Sequence, residues 1–340
     1  MHYKNLPHFN VIFIPDTVDY QAIALISLLL NSDLNFRLVG NSLNDNEAAL
    51  LDQISQTSDR LEFVNFESSG IIPHGTLLDL LFLSETDETF CFCDSDLFLF
   101  EQLTQETLST AIADASVLSS GGRIENQDDV VYAGFKGGAT TISPDGLIDL
   151  ATSFFCIYRR EPLEKVLSKY GVGFEQYRLE SQIPTPALDV VEKMSLEFDM
   201  FDTGKLTSVL LYELGYKKTY RELDGMVHIG GMSGRYLQQL DLSKETIEIT
   251  EDELPEHEST RVDQFQLRND YEKSLKRLYG KYFFCFLKYL ISKGPKPILQ
   301  ASDHRITTTV TRLENELVAI VNGVDEDESC RQIWDLVKSS

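Results

Sequence analysis

Two carboxylates interrupt the most apolar stretch of the chain, residues 90–100, which reads Phe-Cys-Phe-Cys-Asp-Ser-Asp-Leu-Phe-Leu-Phe. A run this apolar is typical of a strand that is buried on both faces of a sheet. Burying a carboxylate without a partner is costly, and two carboxylates so close together repel each other. We therefore expect Asp94 and Asp96 at the end of the strand, with a divalent cation between them.

Hard oxygen ligands of this kind suit Mg²⁺ or Mn²⁺, which bridge one or two carboxylates to substrate phosphates. Ser95 lies between the two carboxylates and belongs to the same predicted site. The alternative interpretation is a turn at the strand end, because Asp and Ser are common turn residues. The tripeptide alone leaves both interpretations open.

Predicted strands and helices alternate through the first part of the chain. They cover residues 10–15, 20–30, 36–40, 46–55, 61–66 and 77–83. This order predicts a mainly parallel sheet covered by helices, in which ligands bind beyond the carboxyl ends of the strands. Asp16, Asn41 and Asp45 follow predicted strands and are candidate nucleotide ligands. Turn formation or helix capping is the alternative for each of them.

Two histidines lie at positions that suit a ligand site. His74 precedes the predicted helix 77–83, where the helix dipole favours anions, although a surface turn is the alternative. His228 begins the segment His-Ile-Gly-Gly-Met-Ser-Gly-Arg, which offers an imidazole for a metal, backbone amides for an anion and the Arg235 guanidinium for a phosphate. Ser233 lies in the same loop. We therefore expect His228 as a third metal ligand, the alternative being a core histidine beside a flexible loop.

Asp202 precedes a predicted amphipathic helix over residues 205–214, which Gly215 closes. A carboxylate at such a helix start, beside a substrate pocket, can act as a general base that deprotonates an acceptor hydroxyl. The alternative is that Asp202 or Thr203 caps the helix. Residues 119–144 are rich in Gly, Ser and Asp and are interpreted as loops and short strands that face an acceptor.

The composition argues against several classes of partner. The formal net charge of −24 makes nucleic acid and bare anionic membrane poor partners, while a local basic pocket for phosphates stays compatible with it. The five cysteines show no regular spacing and do not indicate a disulfide framework. We find no pattern typical of a signal peptide and no run that is long enough for a transmembrane segment, so the expected location is cytoplasmic.

The sequence from residue 240 is first acidic and irregular and then helical. The predicted helices cover residues 262–291, 306–321 and 326–337. No chemical motif stands out here, and we interpret residues 240–340 as an extension for packing, acceptor recognition or homo-oligomer formation. The predicted domain is residues 1–239, with a nucleotide-binding half (1–100) and an acceptor half (101–239).

Taken in order, these motifs resemble a GT-A fold glycosyltransferase with a family-2-like layout, over roughly residues 9–235. The resemblance implies an α/β, Rossmann-like fold with a mixed, mainly parallel sheet flanked by helices, followed by the C-terminal helical extension. The Asp-Ser-Asp tripeptide corresponds to the DxD motif of these enzymes. The resemblance implies that Asp94, Asp96 and His228 hold Mn²⁺ or Mg²⁺ against the diphosphate of a nucleotide sugar.

The same resemblance implies a catalytic base in inverting members of the family. This base maps onto Asp202, with Asp199 as the alternative. The family motif is usually Glu-Asp, whereas this chain has Phe201-Asp202. The first strand also ends in Pro-Asp-Thr where family-2 members usually have an Asn-Glu pair.

The activity that the resemblance implies is a hexosyltransferase-like transfer of a sugar from a nucleoside-diphosphate sugar to an unidentified acceptor hydroxyl. UDP is the commonest donor nucleotide among GT-A enzymes. A nucleotidyltransferase and a non-catalytic nucleotide-sugar-binding protein of the same fold are the alternatives. A nucleotidyltransferase normally has a glycine-rich basic loop after the first strand, and residues 15–20 contain neither glycine nor lysine.

Overall fold

The fold consists of strands and helices that alternate at first and end in long helices. The computed structural model describes residues 6–113, 115–120, 123–125, 130–132, 141–143, 146–148, 150–151, 153–196, 201–221, 225–254 and 264–340. The strands are β1 (Phe9–Phe13), β2 (Phe36–Asn41), β3 (Leu61–Phe66), β4 (Thr89–Asp94), β5 (Leu97–Leu99), β6 (Val117–Ser120), β7 (Arg123–Glu125), β8 (Val130–Tyr132), β9 (Thr141–Ser143), β10 (Gly146–Ile148), β11 (Phe155–Arg159), β12 (Lys218–Arg221), β13 (Met226–His228), β14 (Ile247–Thr250) and β15 (Pro297–Gln300). The α-helices are α1 (Val18–Asn31), α2 (Asp45–Ser55), α3 (His74–Ser84), α4 (Gln105–Ala113), α5 (Arg160–Tyr170), α6 (Thr185–Lys193), α7 (Lys205–Glu213), α8 (Gln264–Leu290), α9 (His304–Gly323) and α10 (Glu328–Ser339). Short 3-10 helices cover Glu180–Gln182, Arg235–Gln239, Glu251–Glu253 and Val324–Glu326.

Seven strands form the main sheet in the order β12-β6-β11-β4-β1-β2-β3. Only β11 runs antiparallel to its neighbours in this sheet, and the other adjacent strands pair in parallel. The predicted fold class, a mixed and mainly parallel sheet flanked by helices with further helices at the C-terminus, is therefore confirmed. Because β2 and β3 lie on one side of β1 and β4 lies on the other, the strand order reverses between β1 and β4.

Alternate side chains of β4 enter two separate hydrophobic cores. Cys91 and Cys93 face the core that contains α1 and the C-terminal helices, whereas Phe90 and Phe92 face the core that contains α3, α5, α6 and α7. All four side chains are almost completely buried. Burial on both faces explains why β4 is apolar without alternation. The two cysteines are buried and free.

The apolar run 90–100 is divided into two strands rather than forming one. β4 ends at Asp94, residues 95 and 96 form a turn, and β5 leaves the main sheet to pair antiparallel with β13. The predicted position of the carboxylates, at the end of a buried strand, is therefore confirmed. The second half of the run is apolar because β5 is buried in this separate two-stranded ribbon.

The start of α7 differs from the prediction. Gly204, with a φ of 70°, is the N-cap residue, and no side chain caps the helix. Capping by Asp202 or Thr203 is therefore wrong, since a glycine fits the left-handed backbone at this position without steric cost. α6 is absent from the predicted elements. It is nine residues long and buries three apolar side chains, which is too short a periodic pattern to identify a helix.

The C-terminal helices pack against the sheet-forming part of the chain. α8, α9 and α10 all contact α1, and their apolar side chains lie in the same core as β1. An ion pair between Lys288 and Asp19 also joins α8 to α1. Although α8 has 27 residues, neither it nor any other helix in the described part of the chain is long and apolar enough to cross a membrane.

Candidate functional site

The carboxyl ends of β1, β2 and β4 meet at one edge of the main sheet, where the strand order reverses. A cavity of about 340 Å³ lies at this edge. Its lining combines isoleucines, among them Ile14 and Ile72, with Asp94, Asp96 and His228. A concave site of this size, with a few convergent polar groups at the switch point of the sheet, is the usual binding site of an open α/β fold.

Asp94, Asp96 and His228 form one compact cluster. His228 Nε2 lies 3.2 Å from Asp94 Oδ2 and 3.0 Å from Asp96 Oδ1. One potential ligand atom from each residue lies within 4.8 Å of the other two. The side chains of Asp96 and His228 are each 7% exposed, and that of Asp94 is 23% exposed.

Strand pairing brings His228 to the two carboxylates. In the β5–β13 ribbon, His228 is opposite Leu97, the residue that follows Asp96. The ladder continues with a hydrogen bond from the Ile229 N–H to the Asp96 carbonyl. On the other side, the Phe154 ring stacks on the imidazole with 4.6 Å between the ring centroids. The imidazole is therefore held between an aromatic ring and the carboxylates.

Interactions within the cluster shift the pKa values of His228 and Asp96. Burial disfavours the charged form of His228, but the Asp96 and Asp94 carboxylates outweigh burial and raise the pKa of His228 to about 9. Burial acts to raise the pKa of Asp96, yet the neighbouring His228 charge outweighs it and the pKa of Asp96 is lowered. The Met232 N–H also hydrogen-bonds Asp96 Oδ2, at 3.4 Å. The cluster without a metal is thus an imidazolium between two carboxylates.

The cluster fits a divalent cation. Carboxylate oxygens and an imidazole nitrogen are metal donors, and here two carboxylates, from the end of β4 and the turn after it, meet an imidazole from β13. A cation of charge +2 held by these residues would supply positive charge in place of the His228 proton, so that the Asp94 and Asp96 carboxylates would stay compensated. The donor set therefore agrees with a metal centre.

Four further predicted nucleotide ligands line the cavity: Asn41, His74, Ser95 and Ser233. The Asn41 amide exchanges two hydrogen bonds, both 2.9 Å, with the backbone of Ile72. It thereby fixes the segment before α3, and its side chain is already engaged. Ser95 Oγ donates to Gln21 Oε1 of α1 at 2.8 Å. His74 is the first residue of α3, as predicted for a residue at a helix start.

Asp16, Asp45 and Arg235 are not among the residues that line this cavity. The Asp16 N–H donates to Glu47 Oε1, and Asp16 Oδ2 accepts a hydrogen bond from Gln238. Asp45 is the exposed first residue of α2, and Arg235 is exposed at the start of a 3-10 helix. Their roles as ligands stay predictions.

Asp202 lies in a separate group of polar residues next to α3. Its Oδ1 accepts hydrogen bonds from the Gln176 side chain and from the Thr203 N–H. Glu175, beside Gln176, accepts a hydrogen bond from Thr76, two residues after His74. Hydrogen bonds thus link Asp202 through the 175–176 segment to Thr76 of α3, and Asp202 is not among the residues that line the cavity. The alternative base, Asp199, lies outside the described residues.

Lys276 of α8 also lines the cavity, and the sequence does not predict it. The residue lies in a region that was expected to carry no chemistry. The signal that points to it is Gly280, one turn later in the same helix. Glycine inside a helix costs about 1 kcal/mol relative to alanine and often marks a close approach of another segment.

No family model matches the chain, and no curated protein matches it either. Among solved structures, the chain is similar to a mannosyltransferase of Pyrobaculum calidifontis in complex with GDP-Man and Mn²⁺, with 12% identity, a TM-score of 0.41 and coverage of 94% of this chain and 87% of that one. It is also similar to residues 1–349 of TarS from Staphylococcus aureus, with 15% identity and a TM-score of 0.38. That alignment covers 65% of this chain and 59% of the TarS chain, so this chain spans less than two thirds of that neighbour.

A third similar structure is a Bacillus anthracis protein proposed to be a glucose-1-phosphate thymidylyltransferase, in complex with sucrose. Its identity is 10%, its TM-score is 0.39, and the alignment covers 66% of this chain and 90% of that one. Glycosyltransferases are thus among the solved structures that resemble the chain, as the sequence resemblance predicts. At these identities and TM-scores, the similarities do not establish an activity.

Proposed function

We propose that the protein is a metal-dependent glycosyltransferase that transfers a sugar from a nucleoside-diphosphate sugar to an acceptor hydroxyl. The observation that carries this proposal is the convergence of Asp94, Asp96 and His228 inside a cavity at the switch point of the sheet. A nucleotide fits this position because α/β sheets bind ligands beyond the carboxyl ends of their strands. The cytoplasmic location expected from the sequence stays a prediction.

Asp94, Asp96 and His228 are the residues that would hold Mn²⁺ or Mg²⁺. Mg²⁺ prefers oxygen ligands throughout, whereas Mn²⁺ tolerates the imidazole nitrogen better, so we favour Mn²⁺. The bound cation supplies positive charge next to the diphosphate, which gains negative charge as it leaves the sugar.

The chain's own groups can bind the rest of the donor. The lining residues Ile14 and Ile72 offer an apolar surface for the nucleoside, and the amide of Asn41 holds the Ile72 segment in place. The loop after His228 has two glycines with positive φ, Gly230 and Gly231, which turn the backbone beside the metal ligands. We propose UDP as the donor nucleotide because it is the commonest one among GT-A enzymes.

Asp202 is our candidate for the general base. Two hydrogen bonds fix its carboxylate at the start of α7, and one oxygen, Oδ2, accepts neither of them. An acceptor hydroxyl that lies between Asp202 and the metal centre could pass its proton to this oxygen during attack on the sugar. This role applies to an inverting reaction.

The proposal is tested by measuring release of the nucleoside diphosphate from UDP-glucose, UDP-galactose, UDP-N-acetylglucosamine and GDP-mannose. We expect slow hydrolysis of at least one donor with Mn²⁺ and none with EDTA. The matched variants are Asp96→Asn, which should abolish release, and Asp335→Asn, which changes an exposed carboxylate of α10 outside the cavity and should not. Release that is insensitive to both EDTA and Asp96→Asn would contradict the proposal.

A nucleotidyltransferase is distinguished in the same assay. It would consume UTP and a sugar 1-phosphate and release pyrophosphate. The described segment between β1 and α1 contains no glycine or lysine for the triphosphate, so we expect no pyrophosphate release. Metal-dependent nucleotide binding without any turnover would instead support a non-catalytic binding protein.

A further inference from the structure

Lys276 reaches the cavity from the C-terminal part of the chain. It is half-buried in α8 and lines the cavity together with Asp96 and His228. Within the part of the chain that the structure describes, no hydrogen bond or ion pair engages its ammonium group. A positively charged group is thus available at the candidate metal centre, in addition to the residues that would hold the metal.

Two facing glycines bring α8 against the loop that follows His228. A Cβ at Gly280 would lie only 3.0 Å from the Gly230 carbonyl oxygen, and a Cβ at Gly230 would clash with the Lys276 side chain. Gly230 also has a φ of 70°, which other residues rarely adopt. Because Lys276 and Gly280 are four residues apart, they lie on the same face of α8. This contact therefore directs Lys276 to the metal ligands.

Charge balance favours an anion beside Lys276. Asp94 and Asp96 together neutralise a divalent cation, and His228 is neutral when it binds a metal. Lys276 is then the positive charge that is left among the described lining residues. A diphosphate adds at least two negative charges, which the ammonium can partly compensate through charge-assisted hydrogen bonds.

We propose that Lys276 binds the diphosphate of the nucleotide, so that α8 of the C-terminal region completes the donor site. This inference rests on the proposed function, since it requires a nucleoside diphosphate at the metal centre. It also gives the C-terminal region a role beyond packing. By linkage, the nucleotide and the docked position of α8 stabilise each other.

Calorimetric titrations of Lys276→Ala, Lys276→Arg and wild type test this role. UDP and GDP are titrated with saturating Mn²⁺, and Mn²⁺ is titrated alone. We expect Lys276→Ala to weaken the binding of the diphosphate by about 10- to 100-fold, as for loss of a charge-assisted hydrogen bond. Mn²⁺ alone should bind Lys276→Ala as tightly as wild type or more tightly, because a positive charge near the cation is removed. Lys276→Arg should stay within about tenfold of wild type.

The opposite effects on Mn²⁺ and on the diphosphate separate a binding role from a structural one. Arg277→Ala is the matched control, because Arg277 is the exposed next residue of the same helix, and it should change neither affinity. Unchanged diphosphate affinity in Lys276→Ala, or equally weakened binding of Mn²⁺ and of the diphosphate, would overturn the role of Lys276. Either result would leave the proposed function standing. If neither nucleotide binds wild type, the proposed function fails, and this inference fails with it.

Discussion

Binding of a divalent cation at the candidate centre should release one proton from His228. Nε2 of His228 faces both carboxylates, at 3.2 Å from Asp94 and 3.0 Å from Asp96, so this nitrogen carries the proton that the two carboxylates share. Despite the opposing effect of burial, the carboxylates raise the pKa of His228 to about 9. Only the neutral imidazole binds a metal. At pH 7 nearly every molecule must therefore lose this proton before the metal binds.

The sign and the size of the pH dependence follow from this pKa. Below pH 9, the dissociation constant for Mn²⁺ should fall about tenfold for each unit of pH and then level off. Calorimetry at pH 7 in two buffers with different ionisation enthalpies gives the number of protons released, which we expect to be about one. In Asp96→Asn, which loses one carboxylate beside the imidazole, both the affinity and the proton release should decrease. An affinity that is constant between pH 6.5 and 8, with no proton release, would refute this reasoning.

Three further predictions concern other parts of the structure. The variant Gly280→Ala gains about 1 kcal/mol of helix propensity, but overpacking against the Gly230 carbonyl costs about 1–3 kcal/mol. The free energy of unfolding in urea should therefore stay unchanged or fall by up to about 2 kcal/mol. A clear increase in this free energy would show that the contact is loose. Burial raises the pKa of Asp79 to about 6 from an ordinary value of 3.8, so this group makes the folded state less stable as the pH rises through that interval. Because Asp79 is partly exposed, Asp79→Asn should stabilise the protein by about 1 kcal/mol at pH 8 and by less at pH 5, and equal unfolding free energies of the two proteins at both pH values would contradict this. For an inverting enzyme, Asp202→Asn should lower kcat by about 10²- to 10⁴-fold and leave Mn²⁺-dependent UDP binding unchanged, and full activity of this variant would exclude Asp202 as the base.

The sequence predicts the carboxylates of the site because their signal is local. Asp94 and Asp96 interrupt a run that is too apolar to lie anywhere but in the core, and a strand end is the position that spares them from burial without a partner. The alternation of short strands and helices likewise predicts the parallel part of the sheet. His228 is predicted from a local pattern too, its glycine-rich loop. That it meets the carboxylates depends on the pairing of Leu97 with His228, which joins distant parts of the chain.

Lys276 illustrates what the sequence does not predict. A lysine in an amphipathic helix has the same local pattern whether it faces solvent or a binding site. Its position depends on how α8 packs against the His228 loop, and the pattern of apolar residues shows only that α8 has a buried face. The alternative interpretation, in which Asp202 or Thr203 caps α7, is wrong for a related reason. The Gly204 backbone, with its positive φ, begins α7, and a side-chain cap is therefore not required.

The most direct test is a titration of UDP and GDP, each with Mn²⁺ and with EDTA, into wild type, Asp96→Asn and the control variant Asp335→Asn. We expect binding of at least one nucleotide that requires Mn²⁺, is lost in Asp96→Asn and is unchanged in Asp335→Asn. If neither nucleotide binds wild type in the presence of Mn²⁺, or if EDTA leaves the binding unchanged, the cluster of Asp94, Asp96 and His228 is not a metal-dependent nucleotide site.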